Sequence, residues 1–199
     1  SIIGGDDGWR EHLHIVFPRI GELDPRFLEV LSQPGEALMA DIQNDKAALL
    51  GLLADMMEDY ARAIDLDQLE RWPDFFEENC IYKVTSRENV AAGYPFGVLF
   101  ADSRGMLADR VRSLREANIY EGQVYRHLMG RPFILSVDNG LVQVETSFLI
   151  LRTMRTGEMS TFAAGTYQDR VRVADGKASF VERIVVCDSS RVDTLLALP

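Results

Sequence analysis

The sequence has few cysteines and no long apolar run. Its 199 residues include two cysteines, Cys80 and Cys187, each within an apolar segment. A secreted scaffold held by disulfides needs more, so we expect two buried free thiols and a reducing cytoplasmic setting. No segment approaches the roughly 18 apolar residues that span a bilayer, so we expect no membrane helix. Residues 1–7 lack the basic and apolar regions of a secretory signal.

The chain also lacks an excess of positive charge. Its net charge is −10, which argues against general nucleic-acid binding, because that function needs a basic surface. Residues 1–78 carry 18 acidic against 6 basic residues, whereas residues 79–199 carry 13 against 15. One predicted helix concentrates four arginines, Arg104, Arg110, Arg112 and Arg115. Such a row either steers a partner into register or forms a solvated face, and the sequence leaves both open.

Catalytic and metal-binding motifs are missing as well. The sequence contains no G-x-S-x-G, P-loop or G-x-G-x-x-G pattern. A Rieske cluster needs two Cys and two His in close motifs, and a mononuclear iron site needs two His and one carboxylate. His12 and His14 are separated by one residue, but no third ligand lies at a telling distance. We therefore expect no catalytic residue, no cofactor and no metal in this chain.

The residue pattern changes at about residue 42. Residues 1–42 are punctuated by glycine and proline and predict an irregular extension, whereas residues 43–199 predict one folded domain. Apolar residues at helical spacing from Leu49 to Ile64 predict a helix of about five turns with Asn44 as its N-cap.

Two shorter helices are predicted before the sheet. Asp67–Glu70 has the pattern of a capping box that opens the first of them. The second starts near Asp102 or Ser103. Its apolar side consists of Met106, Leu107, Val111 and Leu114.

From about Gln123 onward the sequence predicts an antiparallel sheet, because Asn-Gly and Asp-Gly turns separate long alternating segments. The predicted strands are Val124–Met129 with Phe133–Val137, Leu141–Met154, Ser160–Val173 and Ala178–Asp188, after a first strand at Cys80–Ser86. On the last strand, alternation places Phe180, Ile184 and Val186 on one face. Helices followed by a meander predict an α+β domain with helices packed on one face of a curved sheet.

A sheet curled over helices can enclose a conical pocket, which is the second functional possibility. An open pocket would suit an isomerase, dehydratase or cyclase-like enzyme, or a small-ligand binding module. The alternative, which we favour, is that aromatic side chains fill the cone, while His127 and Asp188 hydrogen-bond at interfaces or strand ends. The candidate pocket residues are Tyr60, Tyr82, Tyr125, His127, Asp109 and Asp188.

Several stretches carry a family resemblance, in order along the chain. They are Tyr60–Asp65, Trp72–Phe76, Cys80–Val84, Gly105–Arg110, Leu114–Tyr120, Tyr125–Gly130 and Val186–Ser190. Through them, residues 44–199 resemble the small (β) subunits of aromatic-ring-hydroxylating dioxygenases. The similarity is greatest to those of terephthalate dioxygenases, especially over Arg115–Tyr120 and Cys187–Leu198. Residues 1–42 do not match the usual small subunit.

The resemblance implies a cystatin-like, or nuclear-transport-factor-2-like, α+β fold. It also implies an α3β3 assembly in which the β subunits associate with one another and with a Rieske-type large subunit. The large subunit would carry the 2Fe-2S cluster and the mononuclear iron of an NAD(P)H-dependent system, and the β subunit would be mainly structural.

Overall fold

The computed structural model describes residues 36–95, 97–116 and 122–190, with side chains from residue 45 onward. The chain divides into two compact units, Ser1–Asp45 and Lys46–Pro199. The sequence predicts an irregular extension over residues 1–42. Residues 1–35 of that segment lie outside the described part of the chain. No helix among the described residues is long and apolar enough to cross a membrane.

A long helix, α1, spans Glu36–Asp65. Asn44 lies within this helix, so its predicted role as N-cap is wrong. The residues from Glu36 to Ala40 are good helix formers and extend the helix towards the N-terminus. The predicted apolar face is confirmed, since a stripe at helical spacing is buried in the core. Its most buried members are Leu53, Met57 and Tyr60.

The turn after α1 leads into a 3-10 helix over Leu69–Phe75. Asp67 has a positive φ of 57° in this turn. The predicted capping box is wrong, because Gln68 is the N-cap and makes no side-chain capping hydrogen bond. The carboxylates of Asp67 and Glu70 instead accept hydrogen bonds from Arg115, whose charged guanidinium is the stronger donor.

Residues 76–116 contribute two strands and two helices. Strand β1, Phe76–Ser86, begins four residues before its predicted start. The segment after it contains a short helix, α2, over Arg87–Ala91, and a strand, β2, over Leu99–Ala101 that pairs antiparallel with β1. Helix α3 spans Arg104–Glu116.

The apolar side of α3 is confirmed at three of its four predicted positions. Leu107, Val111 and Leu114 are buried. Met106 remains 43% exposed, because only positions spaced by three and four residues share the core-facing side of a helix.

In the part of the chain that the structure describes, seven strands form one unclosed mixed sheet in the order β2-β1-β7-β6-β5-β3, with β4 also paired to β5. The predicted meander is confirmed by β3 (Gln123–Met129), β4 (Phe133–Asp138), β5 (Leu141–Met154), β6 (Met159–Ala174) and β7 (Lys177–Cys187). The sheet is not wholly antiparallel, because β1 pairs with β7 in parallel. The helices and the inner face of the sheet enclose one hydrophobic core that includes Trp72, Phe76 and Tyr82.

A β-bulge in β7 decides which of its side chains face the core. Val181 is an extra residue opposite β6, because Val171 pairs with Phe180 while Arg170 pairs with Glu182. Inward and outward positions therefore exchange after the bulge. The predicted face is wrong beyond Phe180: the inward residues are Arg183, Val185 and Cys187, all buried.

Candidate functional site

The structure separates the residues proposed for a conical pocket. Tyr60 and Tyr82 are fully buried. Asp109, which is 68% exposed, lies on the solvent side of α3 at 3.0 Å from Arg112. Asp188 is 50% exposed and pairs with Arg87 at 2.9 Å, because β7 ends just before it. These two aspartates therefore do not point into the cone.

His127 is buried and paired with a carboxylate that the sequence did not single out. Its Nδ1 lies 2.6 Å from Oδ1 of Asp65, and the two side chains are 1% and 6% exposed. The peptide N–H of His127 donates to the same carboxylate at 3.0 Å. Since a carboxylate accepts, Nδ1 carries the hydrogen in this arrangement. Nε2 is buried and has no hydrogen-bond partner within the described residues.

Tyr125 lies beside this pair on β3 and points towards the same side of the sheet. Its ring packs edge-to-face against Phe162 with centroids 5.2 Å apart. The guanidinium of Arg152 lies 5.7 Å from the centroid of the Phe162 ring. The space beside His127 is therefore occupied by packed side chains.

The most unusual group inside the cone is a fully buried arginine. Arg183 donates from Nε and Nη2 to the two carboxylate oxygens of Asp169, at 2.9 and 2.8 Å. Both side chains are 0% exposed. Its Cζ atom lies 3.9 Å from the ring centroid of Phe180, 4.1 Å from that of Tyr167 and 4.2 Å from that of Tyr60. We call these three rings and Asp169 the Arg183 cage.

Burial and the ion pair oppose each other in the cage, since burial raises the pKa of Asp169 above its ordinary value while Arg183 acts to lower it. Burial alone would lower the pKa of Arg183, but Asp169 outweighs it and raises that pKa above its ordinary value. Burial, followed by the neighbouring Tyr60 and Tyr167, raises the pKa of Tyr82 well above its usual range. Burial also raises the pKa of Tyr167. These phenols are therefore poorly suited to exchange protons near neutral pH.

Sequence analysis missed the Arg183 cage, and no local signal marks it. Regular alternation from Phe180 places Arg183 on the outer face of β7, where an arginine needs no partner. Only the bulge turns it inward, opposite Asp169 on β6. A bulge is a mismatch between two strands, so one strand alone does not reveal it.

The other reactive groups have structural positions. Both cysteines are free and buried, as expected. No group of three or more His, Cys, Asp or Glu side chains suited to a metal ion occurs in the part of the chain that the structure describes. His12 and His14 lie outside that part.

The arginines on α3 make contacts within the chain. Arg104 donates to the carbonyl oxygen of Phe76 at 2.9 Å, and Arg112 pairs with Asp109 within the helix. Arg115 binds Asp67 at 2.7 Å and Glu70 at 2.8 Å. These contacts reduce the charge that the helix offers to a partner.

Two apolar surfaces among the described residues remain exposed. The first, the β3–β4 surface, consists of Val124, Leu128, Phe133, Leu135 and the adjoining Leu149, all between 36% and 66% exposed. The second is a groove of about 390 Å³ beside strand β2. The groove is lined by Val98, Leu99, Phe100, Ala101, Met106, Leu107 and Arg110. Clustered exposed apolar side chains are typical of protein–protein contacts.

The sequence is similar to known proteins over most of its length. A family model described as "Ring hydroxylating beta subunit" matches residues 59–194. The β 1 subunit of the terminal oxygenase component of terephthalate 1,2-dioxygenase from Comamonas sp. is 49% identical over 140 residues, which are 70% of this chain and 91% of that protein. The small subunit of anthranilate 1,2-dioxygenase from Burkholderia cepacia is 40% identical over 141 residues, 70% of this chain and 87% of that protein.

Solved structures agree with the sequence comparison. A Novosphingobium aromaticivorans chain assigned to the β subunit of an aromatic-ring-hydroxylating dioxygenase has a TM-score of 0.72 and 38% identity, covering 77% of this chain and 98% of its own. A chain assigned as a scytalone dehydratase from the same organism has a TM-score of 0.60 at 16% identity, covering 78% and 94%. Because the identity to the second chain is only 16%, that similarity shows a shared fold and nothing more. The expected nuclear-transport-factor-2-like fold is confirmed.

Proposed function

The chain belongs to the family of ring-hydroxylating β subunits, and from that premise we propose that it serves a dioxygenase acting on an aromatic carboxylate such as terephthalate. It is the structural small subunit of an aromatic-ring-hydroxylating dioxygenase, and so one component of an oxidoreductase. The aromatic carboxylate is proposed from the substrates named for the two relatives.

We propose that this chain has no catalytic residues, chiefly because packed side chains fill the cone. The Arg183 cage takes the place that a substrate would need, and its ion pair is 0% exposed. Two concavities among the described residues adjoin Val98 near β2, and neither is lined by His127 or Arg183. An enzyme of this build would need an accessible pocket onto its acid–base groups.

Small subunits of these dioxygenases pair with a large oxygenase subunit. We propose an α3β3 hexamer in which the large subunit holds the Rieske cluster and the mononuclear iron. The exposed β3–β4 surface and the β2 groove support this assembly, because both offer apolar area that a partner would cover. Two free buried thiols favour a cytoplasmic setting.

Co-expression with a Rieske-type large subunit tests the proposal. The full chain is purified alone and with the partner, and subunit ratio, iron content and turnover of an aromatic carboxylate are measured. We expect equal amounts of the two subunits, with iron and turnover only in the complex. Stoichiometric iron or hydroxylation by the chain alone would contradict the proposal.

A matched pair of variants locates the contact. Phe133→Ser removes the most exposed aromatic side chain of the β3–β4 surface, which is 66% exposed. Tyr94→Ser removes a ring that is 64% exposed outside both apolar surfaces. We expect the first to weaken self-association or capture of the large subunit, measured by sedimentation, and the second to leave both unchanged. Equal effects would count against this surface.

One observation favours a second candidate, acid–base chemistry in the cone. Asp65 orients His127 and leaves Nε2 without a partner within the described residues, which is how a general base is arranged. Nε2 is nevertheless buried among packed side chains. Titration with small aromatic acids, followed by the His127 ring signals in NMR spectra, decides between the two. We expect no saturable shift.

A further inference from the structure

The cone holds a cation in a set of groups that proteins use to recognise cations. Three aromatic rings and one carboxylate surround the guanidinium of Arg183. Ring faces attract cations electrostatically, and a carboxylate binds guanidinium through two parallel hydrogen bonds. Here the cation belongs to the chain itself.

We propose that the Arg183 cage is a latent binding site for small planar cations of the guanidinium class, and that the Arg183 side chain is its built-in ligand. Removing that side chain exposes the site, which accepts a free guanidinium ion in the same place. The proposal goes beyond the structural role in the dioxygenase, because it attributes the filling of the cone to the side chain of one residue, Arg183.

The walls of the cage are held by contacts that do not involve Arg183. Tyr60 packs edge-to-face on Phe75 with centroids 5.7 Å apart. Phe180 packs on Phe76 at 5.2 Å, and Tyr167 stacks on Phe148 at 4.3 Å with the planes 19° apart. Since these supports persist without the arginine, the vacated volume keeps its aromatic walls and does not collapse completely.

The geometry selects a planar cation with two adjacent N–H groups. Nε and Nη2 of Arg183 each meet one oxygen of Asp169. Nη1 has no hydrogen-bond acceptor among the described residues, so the rings supply its surroundings. A free guanidinium ion reproduces the two parallel donors and the flat faces, whereas ammonium is a compact, strongly hydrated point charge that reproduces neither.

Thermal unfolding of the full chain tests the proposal with guanidinium chloride as the probe at millimolar, non-denaturing concentrations. Arg183→Ala opens the site, and Arg183→Met fills the volume without charge. The double variant Arg183→Ala with Asp169→Asn removes the carboxylate.

We expect the Tm of Arg183→Ala to rise with guanidinium concentration and then level off, because a ligand that binds only the folded state stabilises it by mass action. The wild type and the other two variants should show no such rise, and sodium chloride at equal ionic strength should not replace guanidinium.

An equal response of all variants, or none in Arg183→Ala, would overturn the proposal. If Arg183→Ala does not fold alone, it is refolded from urea with guanidinium or with ammonium, and the recovered native fraction is measured by near-UV circular dichroism. Recovery with guanidinium only supports the site, and failure to recover with either counts against it. Capture of the large subunit by the wild type tests the structural role separately.

Discussion

Asp65, the last residue of α1, accepts hydrogen bonds from both the ring and the peptide nitrogen of His127 on β3, at 2.6 and 3.0 Å. The pair ties the end of the long helix to a strand at the open edge of the sheet. Both side chains are almost fully buried, so the contact is shielded from competing water.

Asp65→Asn should therefore destabilise the domain by about 1–3 kcal/mol, because the amide cannot accept both hydrogen bonds with a full charge. Urea unfolding measures the loss. Asp55→Asn on the exposed side of the same helix is the control, and it should change stability by less than about 0.5 kcal/mol. Similar losses at the two positions would show that the pair contributes little.

The Arg183–Asp169 pair should respond very differently to single and double substitution. Asp169→Asn leaves a buried arginine uncompensated and should cost about 3–5 kcal/mol. Asp169→Leu combined with Arg183→Met removes both charges and should cost clearly less than the single change. Denaturant unfolding of both variants checks this, with Arg170→Met, a partly exposed neighbour on β6, as the control. A double variant that loses as much stability as Asp169→Asn would mean that the two charges are not coupled.

The contact between Arg115 and Glu70 should lose its effect in acid. Its hydrogen bond to Arg115 lowers the pKa of Glu70 below the ordinary 4.5. A carboxylate with a lowered folded-state pKa adds stability above its unfolded-state value, and this stability is lost as the pH falls through the folded-state pKa. The Tm difference between wild type and Glu70→Gln should be constant near neutral pH and shrink once the pH falls below 4.5. A difference that grows in acid would contradict this sign.

Two glycine-to-alanine changes should have opposite effects. A Cβ atom at Gly165 would collide with the carbonyl oxygen of Val186 on the neighbouring strand. Gly165→Ala should therefore separate β6 from β7 locally and destabilise the domain, by about 1–3 kcal/mol as for other overpacked sites. Gly51 lies within α1 with open space around it, so Gly51→Ala should stabilise by about 0.5–1 kcal/mol. Thermal unfolding of both variants decides, and destabilisation by Gly51→Ala would contradict the helix there.

The two thiols should be unreactive in the folded protein. Burial raises the pKa of Cys187 to about 11, with a smaller contribution from Asp188, and burial also raises that of Cys80. Because the thiolate is the reactive form, a disulfide reagent at mildly alkaline pH should react slowly with the native chain and rapidly in urea. Fast labelling of the native protein would show that a thiol is accessible.

The elements of the fold were largely predictable from local patterns. The helical spacing that ends at Ile64 and the turns at Asn139-Gly140 and Asp175-Gly176 placed the end of α1 and the later strands to within a few residues, whereas the start of α1 was predicted too late. Errors occurred where a long-range contact competes with a local preference. Arg115, for example, draws Asp67 and Glu70 away from capping the 3-10 helix.

What the sequence determined by itself was the class of domain, its order of elements and, through ordered resemblance, its family. These follow from periodicity and turn chemistry, which act over a few residues. The tertiary structure alone decided that β1 joins β7 in parallel, that Asp65 meets His127, and that Val181 forms a bulge. Each depends on register between segments that are distant in sequence, and a shift of one residue changes which side chains enter the core. The arginine at the centre of the cone is the consequence of one such shift.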